Sequence, residues 1–411
     1  MDRKALIDKV KELYYRANIA AIDVGGKLCP ALYPQPKYMV GNGSALKTPA
    51  VLREVGITHP MVVCGHTVGR TIVPPILEEL KKNGIRYELF GDVEVNPSIE
   101  TAEAIYKQYV SAGCDGFLAI GGGSSMDAAK AAAARKARPN TPLTAMAGLM
   151  KVLVPAPPIV AIPTTAGTGS ECSFVTVITD HKNEKKIAVT DQHLLPKYAI
   201  LDPTLTLSVP QGLTAANGMD ALTHAIESYI SRAWYTPETM RNCEEAVVKI
   251  FRYMEKAYAD GSDLEARSNM LVASFKAGLA FTHTGVGNIH AISHALGGKY
   301  GVSHGLANSV ILPIVLDDYG KAVWPQLAHL AEIAGVKTDG SEEEKARAFI
   351  REIRAMNRRM GLPTGLDCIR QEDYAHIIKT ALHEANNTYP VPVIYNEARC
   401  RHVLNRIVTE A

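Results

Sequence analysis

Asp220 and His224 stand four residues apart in AANGMDALTHAIE (215–227), a spacing that puts a carboxylate and an imidazole on one face of a helix. Farther on, His290 and His294 repeat that spacing, and His304 follows just before another helical stretch. Three of the 13 histidines therefore fall within 15 residues, among Ala, Ile and Leu, where solvated imidazoles are uncommon. One carboxylate with two or three neutral imidazoles makes a nitrogen–oxygen ligand set suited to Fe(II), Zn(II) or a similar divalent ion. Such an ion serves as a Lewis acid toward a substrate oxygen.

A second group of residues could hold phosphate. In Phe117-Leu-Ala-Ile-Gly121-Gly122-Gly123-Ser124-Ser125-Met-Asp127-Ala-Ala-Lys130, a strand pattern runs through glycines into a helix pattern. Glycines admit close backbone approach, and the helix start offers unpaired N–H groups to an anion. The spacing differs from Gly-x-Gly-x-x-Gly, so this is another kind of phosphate loop. Pro163-Thr164-Thr165-Ala-Gly167-Thr168-Gly169-Ser170-Glu171 is a second loop, rich in hydroxyls and glycines, after an apolar run. A third lies at Gly65-His66-Thr67. An acid at the end of an early strand takes a ribose 2′-hydroxyl in many such sheets. Gly65 stands where that acid would be, which removes a repulsion against a 2′-phosphate and leaves His66 or Arg70 to meet one.

The elements that must position these groups change character along the chain. Residues 3–20 carry helical spacing. From about 36 to 205, strand patterns at Met61–Cys64, Tyr87–Phe90, Gly116–Ile120 and Ile159–Ile162 alternate with helical patterns at 70–83, 99–112 and 124–136. That alternation predicts a parallel sheet covered on both faces. Phe174–Thr179 and Lys186–Val189, around the polar turn Asp180–Lys185, predict a hairpin. After Pro210 the patterns are helical: 218–231, 238–258, 265–281, 288–297, 305–318, 325–335, 342–360 and 371–384. We therefore expect an N-terminal helical extension (1–35), an α/β dinucleotide-binding domain (36–209) and an all-helical metal- and substrate-binding domain (210–411). Two domains also suit a chain of 411 residues.

Bulk composition narrows the partners. Lys and Arg number 44 against 42 Asp and Glu, which gives no reason to expect nucleic acid or an anionic membrane. No stretch approaches the ~20 consecutive apolar residues of a membrane span. The seven cysteines are scattered with no Cys-x-x-Cys, against a disulfide framework or a thiolate zinc site and in favour of a reducing compartment. The first residues lack an apolar signal core and carry Asp2, Asp8 and Glu12, so a cytoplasmic protein is expected.

Taken together, GGGSSMDAAK (121–130), PTTAGTGSE (163–171), AILDPTLT (199–206), AANGMDALTHAIESY (215–229) and HAISHALGGKYGVSHGLANSVILP (290–313) resemble the iron-containing (group III) alcohol dehydrogenase family, from roughly 36 to 405. The resemblance implies an α/β dinucleotide-binding domain followed by an all-α domain, the dehydroquinate synthase-like architecture, with the reaction in the cleft between them. It implies metal ligands Asp220, His224, His290 and His304, and a proton-transfer role for the non-ligand His294. It places Gly122, Gly123, Ser124 and Asp127 at the pyrophosphate, Thr164, Thr165, Thr168 and Ser170 in a second cofactor loop, and Lys186 and Asn96 at the cofactor's other end. The implied activity is NAD- or NADP-linked interconversion of a small alcohol and its aldehyde, with Fe2+ or, as the second choice, Zn2+, in a homodimer or larger homo-oligomer. Gly65, where NAD-preferring members often carry Asp, turns the cofactor expectation toward NADP. His283 and Asn288 replace residues near the family's substrate pocket. The alternative readings are a dehydroquinate synthase-like NAD- and metal-dependent lyase, for which only Lys299 offers a basic substrate contact near 283–305, and an inactive regulatory homologue.

Overall fold

A computed structural model describes residues 9–17, 19–20, 34–183, 185–233 and 236–409. The chain forms two compact units, one of Tyr33–Val209 with Gly261–Gly278, the other of Met1–Leu32, Pro210–Asp260 and Leu279–Ala411. Of the predicted N-terminal helix at 3–20, residues 9–17 and 19–20 are helical, and 1–8 lies outside the described residues, as does 21–33.

The first unit is built on a sheet of six strands: β1 (Lys37–Val40), β2 (Pro60–Val63), β3 (Glu88–Phe90), β4 (Gly116–Gly121), β6 (Ile159–Pro163) and β9 (Tyr198–Leu201). Their order is β1-β9-β6-β4-β2-β3, and every pairing is parallel. The chain runs outward from β2 to β3 and then returns to the other side of β2 with β4. This reversal makes a topological switch point between β2 and β4, where such sheets bind ligands beyond the strand ends. β2, β4, β6 and β9 are buried along their whole length, as strands covered on both faces must be. A smaller sheet joins β5 (Gly148–Leu149), β8 (Lys185–Thr190) and β7 (Val175–Asp180), with β7 and β8 forming the predicted hairpin.

The predicted strands at 61–64, 87–90, 116–120 and 159–162 are present within a residue or so. β1 and β9 were not legible: β1 is a four-residue, largely exposed edge strand after a Pro-rich stretch, and β9 is too short for its apolar run to show a period. The helix predicted at 70–83 is two helices, α2 (His66–Thr71) and α3 (Val73–Lys82), after α1 (Thr48–Val55). The break at Ile72 precedes Val73-Pro74-Pro75, where proline rings restrict the backbone before them. α4 (Ile99–Ala112) and α5 (Gly123–Ala137) follow β3 and β4.

α5 is an alanine-rich helix buried along most of its length. Its Lys130 is fully buried, and the amine donates to Ser170 O (2.7 Å), Ser170 Oγ (2.8 Å) and Val175 O (2.9 Å). An ammonium is tolerated in an interior only when its protons are all taken, and here they are. The amine thereby ties α5 to the loop after β6 and to the start of β7.

The second unit is helical: α6 (Gln211–Tyr229), α7 (Pro237–Ala259), α8 (Leu264–Thr284, its residues from 279 on), α9 (Asn288–Tyr300), α10 (His304–Tyr319), α11 (Trp324–Ile333), α12 (Glu342–Arg359), α13 (Tyr374–Thr388) and α14 (Glu397–Thr409). α6 packs against α7 and α10, and α9 against α10 and α13. α10 is buried on every side over 307–316, as a helix surrounded by others must be. α14 was not among the predicted helices, although Cys400, Val403, Leu404 and Ile407 recur at helical spacing and are buried.

Replacing Lys130 by Met keeps the stem and strands three acceptors. We expect a loss of about 3 kcal/mol, read as a fall of several degrees in the thermal midpoint; an unchanged midpoint would show that the amine is not a structural tie.

Candidate metal centre and nucleotide loops

α6 brings Asp220, His224 and Glu227 to one face, at i, i+4 and i+7. α9 contributes His290 and His294 from its first two turns, and α10 opens on His304. One ligand atom from each of Asp220, His224, His290 and His304 lies within 4.8 Å of all the others. Asp220 Oδ1 is 3.7 Å from His290 Nε2 and 3.4 Å from His304 Nε2. A tetrahedron with bonds of about 2.1 Å has edges of about 3.4 Å, and these two separations are close to that value. The imidazoles of His224 and His290 stack at 4.5 Å. The Asp220 and His290 side chains are 2% exposed, while that of His304 is 30% exposed.

The electrostatics also favour a cation. Burial alone would raise the Asp220 carboxyl, but the imidazoles of His224, His304 and His290 outweigh it and hold the acid well below its ordinary range. Burial alone would lower His290; its bonds to Asp220 and Glu227 instead push it up to about 9. The centre thus draws positive charge strongly enough to overcome desolvation.

Two residues that the motif reading left without a role complete the centre. Glu227 Oε2 accepts from His290 Nδ1 (2.6 Å) and from Gly287 N (2.9 Å), and its Oε1 accepts from Ile289 N (2.8 Å). The carboxylate therefore caps the start of α9 and fixes the proton of His290 on Nδ1, leaving Nε2 for the centre. Gly287 is required there, because a Cβ would lie 2.6 Å from Glu227 Oε1. Asn308, one turn after His304, donates from Nδ2 to Asp220 Oδ1 (2.8 Å) and sits 3.2 Å from both His290 Nε2 and His304 Nε2. Spacing from Asp220 and from His304 marks both residues in the sequence. Asn288 is buried and donates to Tyr319 Oη and Val393 O, so its amide anchors the start of α9.

His294 is outside the four-residue cluster, its ring nearly parallel to that of His304 at 5.1 Å. Its Nδ1 lies 2.6 Å from Glu384 Oε1.

In the sheet unit, Gly65 caps α2 and His66 opens it, exposed, at the end of β2. Gly122 caps α5 after β4, with Gly123 and Ser124 partly exposed in its first turn. The loop of Thr164, Thr165 and Thr168 follows β6, and Thr164 N donates to Gly121 O (2.9 Å). These loops thus leave three neighbouring strands at their carboxyl ends. Asp127 accepts from Ser170 Oγ (2.8 Å) and Val177 N (3.0 Å), so these two side chains hold one another and the hairpin. Lys186 Nζ donates to Asn96 Oδ1 (2.8 Å), and Asn96 sits at φ 58°.

Two adjoining family models match the chain: iron-containing alcohol dehydrogenase over residues 34–203, and the C-terminal region of the Fe-containing alcohol dehydrogenase family over 214–408. The NAD-dependent methanol dehydrogenase of Bacillus methanolicus is 35% identical, over 85% of this chain and 92% of that protein. The 1,3-propanediol dehydrogenase of Citrobacter freundii is 37% identical, over 76% of this chain and 81% of that protein. Among solved structures, the alcohol dehydrogenase from Oenococcus oeni superposes with a TM-score of 0.87 at 30% identity, covering 91% of this chain and 99% of that one. With its α/β and all-helical units and its Asp-His-His-His centre, the chain belongs to the iron-containing alcohol dehydrogenase family, whose metal-dependent, nicotinamide-linked members interconvert alcohols and aldehydes.

Proposed function

We propose that the chain interconverts a short, unbranched alcohol and its aldehyde with NADP(H), using Fe2+ as its native ion and accepting Zn2+. The observation that carries this reading is the convergence of Asp220, His224, His290 and His304 within 4.8 Å. Relatives named for methanol and 1,3-propanediol support the size of the substrate. When bound, the ion supplies Lewis acidity toward the substrate oxygen and the nicotinamide carries the hydride.

The protein's own residues supply placement and proton movement. Asp220, His224, His290 and His304 hold the ion, and Glu227 keeps His290 oriented. His294, with Nδ1 turned to Glu384, takes or returns the substrate's proton at Nε2. Gly122, Gly123 and Ser124 offer the start of α5 to the pyrophosphate. Thr164, Thr165 and Thr168 add hydroxyl contacts, and Lys186 with Asn96 holds the far part of the cofactor. Asp127 and Ser170 act by bracing that loop against the hairpin. Gly65 and His66 face the 2′-phosphate end, and Gly65 itself carries no carboxylate toward it.

The exposed Val40 and the half-exposed Tyr38, one face of which packs on Phe275, lie on the edge strand β1 and support a homo-oligomer, since apolar edges are ordinarily covered. None of the six described cysteines forms a disulfide, which supports a cytoplasmic location, and no helix among the described residues is long and apolar enough to cross a membrane.

His304→Ala should lose stoichiometric metal in elemental analysis after anaerobic purification, along with activity; a variant that keeps both would overturn the centre. Glu227→Gln keeps one acceptor but sets an amide N–H against a backbone N–H. Its metal affinity, measured by chelator competition, should fall by about 10- to 100-fold; unchanged affinity would remove Glu227 from the centre.

The cofactor reading is tested by kcat/KM with NADPH and NADH in parallel. The native chain should favour NADPH, and Gly65→Asp should move the ratio toward NADH by at least about tenfold through repulsion of the 2′-phosphate. Its Cβ would meet Val93 O at 3.0 Å, so some loss with both cofactors is expected as well. A native preference for NADH would overturn the choice of NADP.

A further inference from the structure

Glu384 lies on α13, 90 residues from His294 in sequence and 2.6 Å from its Nδ1 in space. A carboxylate beside two donors can only accept, so Nδ1 carries the proton. The same oxygen, Glu384 Oε1, accepts from Tyr389 Oη at 2.6 Å, and Tyr389 stands just past the end of α13. Burial would raise the Glu384 carboxyl, yet His294 and the Tyr389 hydroxyl keep it below its ordinary value, so it stays an acceptor. The packing of α13 on α9 sets this arrangement. The His294 and Glu384 side chains are 21% and 27% exposed, unlike the 2% of His290 and Asp220. The protonated edge of the His294 ring is thus fastened to the protein, and its face lies along His304 at 5.1 Å.

We infer that Glu384, braced by Tyr389, is a positioning residue for the hydride-transfer reaction: it fixes the ring and tautomer of His294 so that Nε2 is the nitrogen left to exchange the substrate's proton. The inference rests on the proton role given to His294 above. The tautomer of an imidazole follows from the bond that its other nitrogen makes. Without Glu384 the ring is released to rotate, and the proton is shared between Nδ1 and Nε2.

The test combines kinetics with a direct view of the ring. In protein labelled with nitrogen-15 at histidine, the His294 signals, assigned by their loss in His294→Ala, should show a protonated Nδ1 and an unprotonated Nε2. Glu384→Met should convert them to a mixture, whereas Glu384→Gln, which retains Oε1 as acceptor, should not. With metal content matched, kcat should fall about 10- to 100-fold in Glu384→Met, stay within about threefold of native in Glu384→Gln, and leave KM for the cofactor unchanged. In a His294→Ala background, Glu384→Met should cost nothing further, because the two residues act as one unit. If Glu384→Met does not fold, Tyr389→Phe takes its place in the same cycle, with an expected loss of about threefold that again vanishes without His294.

An Nε2-protonated ring in the native protein would overturn the inference. So would an equal loss from Glu384→Met with and without His294, or a fall in kcat for His294→Ala with none for Glu384→Met. Unchanged kcat in His294→Ala overturns the proton role of His294 itself and is thereby distinguishable.

Discussion

A carboxylate moved from water into a protein interior is costly unless charge and hydrogen bonds meet it there, and the helical unit buries two of them on one helix face. Asp220 and Glu227 are almost wholly inaccessible. What meets them determines how the surrounding helices begin. Asp220 faces three imidazoles and the Asn308 amide; Glu227 takes an imidazole and two backbone N–H groups at the start of α9. The same bonds that make the burial tolerable therefore set the direction of His290, the entry of α9 and the placement of α10. Structure and chemistry share one set of interactions here, with no separate scaffold behind the ligands.

The sheet unit buries charge of both signs, Asp191 and Asp202 among its acids. Its buried ammonium is Lys130, whose partners are a loop and a strand. The glycines and hydroxyls of the nucleotide loops hold their places because α5 is tied to them from behind, by Lys130 and by the Asp127–Ser170 bond. Asp127, Lys130 and Ser170, all within the recognised motifs, thus make bonds that hold the loop. A motif names a neighbourhood, and the hydrogen bonds show which of its members brace one another.

This difference marks what the sequence could tell. The parallel sheet, the change to helices after Pro210 and the four members of the metal cluster were legible, because buried strands and single helix faces leave periodic traces. Glu227 and Asn308 were legible in principle, as members of the same faces as Asp220 and His304. β1 and β9 were not, since four residues are too few to display a period. Glu384 and Tyr389 left no local trace at all: what gives them a role is the packing of α13 on α9, and contacts across 90 residues are invisible to spacing. Asp127 and Ser170 show the converse limit, where the motif was recognised but the hydrogen bond between its two members was not legible.

The uneven exposure of the metal cluster has a consequence for descent. His290 is locked through Glu227 to a helix start and to a glycine that admits no Cβ, so an exchange at that position would need several simultaneous changes. His304, 30% exposed at the first residue of its helix, is the member of the cluster most open to solvent, although Gly305 beside it is tightly held too, since a Cβ there would collide with Ala216 O. If the ligand set drifts among descendants of this chain, exposure makes the His304 side chain the easiest to exchange and the buried Asp220 and His290 the hardest.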